Sequence, residues 1–121
     1  MSRLLRLFLA PALLAVFCLA GCRPPGGHTL GKPPEGNPRT ILAVRAGDTP
    51  PNVVVVGRII EKCPVAGCWF RIQDDTAVIK VDTKAAGFVV SDLPLETRVT
   101  VAGKVTHEDD EIVLSGTGLR Y

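Results

Sequence analysis

The chain has 121 residues, enough for one domain and no more, and its composition is 46% hydrophobic with only 5% aromatic residues. Fourteen Lys and Arg stand against 12 Asp and Glu, a formal charge of +2. That balance lacks the basic excess of a nucleic-acid binder and argues against that class.

The N-terminus opens with Arg3 and Arg6, and Leu7 to Ala20 is then apolar throughout apart from Pro11. This run is too short to span a bilayer as a stable helix and reads as the core of a secretory signal. It ends in Leu19-Ala20-Gly21-Cys22, which resembles the lipobox of bacterial lipoproteins. The resemblance implies that residues 1–21 are a signal peptide and that Cys22 carries a diacylglycerol thioether, with the membrane as its partner. An aspartate after the cysteine would resemble the inner-membrane retention signal. Arg23 stands there instead, so the implied site is the outer membrane, facing the periplasm.

Removing the signal changes two counts. Arg3 and Arg6 are lost, which brings the 14 basic residues down to 12, equal to the acidic ones. From Val53 onward eight basic residues meet ten acidic ones, so the expected domain is slightly acidic. Of the four cysteines, Cys18 goes with the signal and Cys22 with the lipid. Cys63 and Cys68 remain, in a compartment where disulfides form and persist.

Residues 22–52 are dense in proline and glycine, with Pro24-Pro25-Gly26-Gly27, Pro33-Pro34, Gly36-Asn37-Pro38 and Pro50-Pro51. Proline removes donors and glycine resists ordering, so this stretch is expected to be a disordered tether. Thr40 to Val44 is its one apolar run, a candidate extra strand or edge-packing segment.

Residues 53–121 carry strand signals in regular succession. Val53 to Lys62 is β-branched and long, with Gly57 placed for a bulge or bend. A turn bracketed by Cys63 and Cys68 follows. Trp69 to Gln73 then alternates, Phe70 and Ile72 on one side and Trp69 and Arg71 on the other. Asp74-Asp75-Thr76 is a turn, and Ala77 to Thr83 a third strand with Ile79 and Val81 inward. Lys84 to Val90 has room for a short helical excursion of one or two turns. Arg98 to Val105 and Glu111 to Ser115 are the fourth and fifth strands, joined by a polar turn at His107 to Asp110.

Five short strands, the first bent and a small excursion after the third, resemble the OB-fold, an all-β five-stranded Greek-key barrel. Val-x-Gly-x-Ile at Val55 and Val-x-Val-x-Gly-x-Val at Val99 are similar to the opening and fourth strands of small bacterial OB domains. Cys63 and Gly67-Cys68-Trp69 also resemble a motif found in a group of uncharacterised secreted bacterial proteins. That resemblance implies a location and a fold, and no activity.

The sequence leaves several readings of the cysteine pair. If Cys63 and Cys68 face each other across a hairpin mouth, a structural disulfide follows, closing a small loop for about 2–3 kcal/mol at most. In an OB-like barrel the loop joining strands four and five flanks the one joining strands one and two. His107 would then join Cys63 and Cys68 as a ligand set for copper or zinc. A redox-active dithiol is the third reading, although a Cys-x-x-Cys spacing on a helix N-terminus would suit it better. Trp69, Arg71 and Lys80 share an outer face that could meet a ligand, including nucleic acid or oligosaccharide. No nucleophile with an acid/base pair appears. The expected function is a non-catalytic binding or envelope accessory module that needs no cofactor and meets an envelope protein or small ligand.

Overall fold

A computed structural model describes residues 27–121. The signal peptide, the lipobox and Cys22 lie outside the described residues. The elements are β1 (Thr29–Gly31), α1 (Ile41–Arg45), β2 (Asn52–Lys62), β3 (Trp69–Gln73), β4 (Val78–Asp82), β5 (Arg98–Glu108) and β6 (Glu111–Arg120). Strands β2, β3, β4, β6 and β5 close on one another in that order, with β4 and β6 parallel and every other pairing antiparallel. This is the five-stranded Greek-key barrel expected from the sequence.

Its core follows the period-two alternation of the strands. Val55 and Ile59 of β2, Phe70 and Ile72 of β3, and Ile79 and Val81 of β4 are all fully buried. Val99 and Val101 of β5 meet Leu114 and Leu119 of β6 to complete the cluster. β2 serves two neighbours, pairing with β5 from Asn52 to Arg58 and with β3 from Arg58 to Lys62. The irregularity in that strand lies between Ile59 and Glu61 rather than at Gly57. Gly57 answers a different need. A Cβ there would sit 2.7 Å from the Gln73 carbonyl oxygen, where the two backbones cross.

The N-terminal segment departs from the expected tether. β1 pairs with β6 from Thr29↔Arg120 to Gly31↔Gly118. The backbones of His28 and Tyr121 exchange hydrogen bonds, and their rings stack at 5.1 Å. The Arg39 N–H donates to the Val54 carbonyl at 2.7 Å. These contacts cover edges of β6 and β2 that the barrel itself leaves unpaired.

Thr40 to Val44 forms neither strand nor loose edge. Thr40 caps α1, its hydroxyl accepting from the Ala43 N–H, and Ile41 and Val44 are fully buried in the core cluster. Asp74 fixes the helix from the β3–β4 turn, with Oδ2 accepting from the Ile41 N–H at 2.9 Å. The barrel therefore does not start at Val53, since apolar residues from α1 help to fill it. Between β4 and β5 the excursion is built from turns. Its one i→i+4 bond runs from the Gly87 N–H to the Thr83 carbonyl, and the only helix among the described residues is α1.

Candidate functional site

The loop between β2 and β3 joins two strands whose register runs through Glu61↔Arg71 and Lys62↔Phe70. Continuing that register sets Cys63 opposite Trp69, and the Cys63 N–H donates to the Trp69 carbonyl at 3.0 Å. The cysteines are therefore diagonal neighbours, not the directly opposed pair expected from a four-residue loop. Both are half-buried free thiols.

The loop is held from outside. The Thr83 N–H donates to the Cys68 carbonyl at 2.9 Å, its hydroxyl lies 3.0 Å from the same oxygen and 2.7 Å from the Phe88 carbonyl, and Thr83 is fully buried. The Val90 N–H donates to the Gly67 carbonyl at 3.0 Å. Gly67 has φ of +65°, and a Cβ on it would come within 2.8 Å of the Ser91 nitrogen. Only glycine turns the chain here so close to the next segment. Lys62 closes this side, its ammonium reaching the carbonyls of Ser91 and Leu93.

This turn aims backbone donors at sulfur. The amides of Ala66 and Val65 hydrogen-bond to Cys63; partial burial opposes them, and the Gly67 amide and the Cys68 thiol add to the pull. Together they lower the Cys63 pKa from 9.0 to about 7. Successive N–H groups converging on one anion form a nest, the irregular-backbone counterpart of a helix N-terminus. The redox reading called for a helix and Cys-x-x-Cys spacing. The turn lowers a thiol pKa without either. A groove of about 390 Å³ opens beside Cys63, lined by Ile60, Pro64, Val65, Ser91 and Leu95 among others, with Val65 91% exposed.

Trp69, Arg71 and Lys80 do share one outer face. Arg71 is the register partner of Lys80, and Trp69 that of Asp82. The Lys80 ammonium lies 5.2 Å and the Arg71 guanidinium 5.9 Å from the indole centroid. Carboxylates that the sequence reading did not single out neutralise these cations. Arg71 bridges Glu61 at 3.1 Å and Glu111 at 2.9 Å, and Lys80 meets Glu108 at 2.9 Å. The hydrogen bond to Glu111 raises the Arg71 pKa and lowers that of Glu111. Lys84 pairs with Asp82 in the same way, and the hydrogen bond raises the lysine. The face is an aromatic centre within alternating charges, not a positive stripe.

His107 does not join the cysteines. Among the described residues no three His, Cys, Asp or Glu side chains form a metal-sized group. Strand alternation explains this. Glu108 turns to Lys80 on the outer face, so His107 takes the opposite side, in register with Ile112, which packs against the core. The expected ligand set of Cys63, Cys68 and His107 is thus not assembled for copper or zinc.

The chain matches no protein-family model and no curated protein sequence. It is similar in structure to the hypothetical protein ygiW from E. coli, with a TM-score of 0.54 and 15% sequence identity. The match covers 73% of this chain and 94% of that one. At that identity the likeness shows a shared small β-barrel fold.

Proposed function

We propose that the chain is a lipid-anchored binding module of the bacterial envelope, non-catalytic, held at the outer membrane and facing the periplasm. Anchoring rests on the signal-like N-terminus and on Leu19-Ala20-Gly21-Cys22, with Cys22 as the acylated residue. The observation that carries the binding role is the Trp69 face. An indole flanked by Lys80 and Arg71 lies on the barrel surface that OB-like domains use for ligands. Paired charges around it suit a polar or zwitterionic partner, such as an envelope protein or small ligand, better than a polyanion. In the oxidising periplasm Cys63 and Cys68 close a disulfide at the rim of the same face.

Packing from His28 onward shortens the anchor. The five residues between Cys22 and His28 leave a span of about 20 Å at most when fully extended. On this reading the barrel rides close to the lipid surface and meets partners that are themselves near the membrane.

A photo-crosslinking residue at Glu108, beside Lys80, tests the binding role in intact cells of the native host. An adduct with an envelope component that Trp69→Ala abolishes is expected. The absence of any adduct, with the protein found in the membrane fraction, would overturn the binding role. Cys22→Ser should release the protein from that fraction, and retention there would overturn the anchor.

A further inference from the structure

We infer that Cys63 and Cys68 form a thiol–disulfide exchange site, in which Cys63 is the accessible sulfur, Cys68 its resolving partner, and the substrate a dithiol that receives their disulfide. This sets a redox role for the loop in place of the non-catalytic part of that reading, and it depends neither on the lipid anchor nor on the Trp69 face.

Three features of the loop support the assignment. The two half-buried free thiols stand at the two ends of one turn, Cys63 held opposite Trp69 and lining the groove beside Val65. The backbone amides of Ala66, Val65 and Gly67 lower the Cys63 pKa, which favours a thiolate at the sulfur that lines the groove. Thr83, Val90 and Ser91 pack against the loop and hold its backbone from outside. A structural staple has no use for a stabilised thiolate. An exchanging pair does, because stabilising the reduced form makes the corresponding disulfide a better oxidant.

The steps balance as follows. A substrate thiolate enters from the groove beside Val65 and attacks the Cys63 sulfur. One S–S bond forms while the Cys63–Cys68 bond breaks, and Cys68 leaves as a thiolate that takes a proton from water. The second substrate thiol, deprotonated by water, attacks its own sulfur in the mixed disulfide. Cys63 then departs as the amide-held thiolate, which is the better leaving group of the pair. The substrate loses two electrons and gains a disulfide, and the protein gains two electrons as a dithiol. A small-molecule disulfide returns the pair to its oxidised state by the same chemistry in reverse.

The test uses the full chain with glutathione and its disulfide, read by mass spectrometry after acid quench. The folded protein should pass between its disulfide and dithiol forms across mixed glutathione buffers. Cys68→Ser should trap glutathione on Cys63, and Cys63→Ser should trap at least about tenfold less. Iodoacetamide should alkylate Cys63 in the reduced chain with a half-rise near pH 7, about the value its amides impose. Ala66→Pro deletes one of those donors and should raise the half-rise by about one pH unit, whereas Ala66→Gly keeps the N–H and should leave it in place. A disulfide that stays closed in excess reduced glutathione would make the pair a staple and overturn the inference. A half-rise above pH 8.5, or one unmoved by Ala66→Pro in a folded chain, would also overturn it.

Discussion

The Cys63 N–H donates to the Trp69 carbonyl at 3.0 Å, and this one bond decides how the cysteine loop presents itself. It sets Trp69 opposite Cys63 and moves Cys68 one step into the turn. The turn then has residues to spare, and their amides fold back on Cys63. Because Trp69 and Cys63 share a strand pair, the indole face and the Cys63 thiol are neighbours. A partner on one would stand beside the other.

Trp69 is the only tryptophan in the chain, so its fluorescence reports on that face. Lys80→Met removes the ammonium 5.2 Å from the ring and should shift the emission. The stability cost should stay within about 1 kcal/mol, because the Lys80–Glu108 pair is partly solvated. Urea unfolding followed by tryptophan emission measures both. An unchanged native spectrum would mean that the cation does not sit over the ring.

α1 is part of the barrel's core, and this can be measured. Ile41 is fully buried within the main cluster, so Ile41→Ala should cost about 2–5 kcal/mol. A chain starting at Val53 should lose more, since it also gives up Val44, β1 and the cover over β2. Chemical denaturation and the near-ultraviolet dichroism of Trp69 would follow both. If the shortened chain keeps the stability of the whole, the N-terminal segment is a tether after all.

Much of the barrel was legible because period-two patterning records burial directly. Phe70 and Ile72, and likewise Ile79 and Val81, recur at every second position of their strands, and each proved to be interior. The N-terminal segment was not legible, because its hydrogen bonds go to edges defined only once β2 and β6 are in place. Proline-rich composition argues against a strand or long helix, but it does not prevent short pieces from capping a finished sheet. In the site, the shared face of Trp69, Arg71 and Lys80 followed from alternation alone. The amides around Cys63 have no side-chain signature. Their only trace is Pro64 after the first cysteine and Gly67 before the second, the residues that shape the turn.

Gly57 offers a test of the crossing between β2 and the end of β3. Gly57→Ala places a methyl 2.7 Å from the Gln73 carbonyl oxygen and 3.0 Å from its carbon, both of them backbone atoms. Neither strand can yield without shifting its register, so a loss of about 1–3 kcal/mol is expected in urea. Glycine mid-strand would otherwise weaken the strand relative to alanine. A gain in stability would show that the crossing is looser than the backbones imply.

Asp74 should make part of the fold's stability depend on pH. Burial pushes its pKa up, but hydrogen bonds from the Thr76 hydroxyl and from the N–H groups of Ile41, Thr76 and Ala77 outweigh it and hold the carboxyl below its ordinary 3.8. The folded state therefore binds fewer protons here than the unfolded chain. Stability from this group is complete above about pH 4 and fades as pH falls through the lowered folded value. Asp74→Asn keeps an acceptor but cannot titrate, so it should lower stability at neutral pH by about 1–3 kcal/mol. It should also flatten the acid limb of the stability curve. Asp82 and Glu111 are lowered too, so some acid sensitivity should remain in that variant. Urea midpoints between pH 2.5 and 7 measure the difference. A variant curve parallel to the native one would mean that the Asp74 carboxylate does not anchor α1 in its charged form.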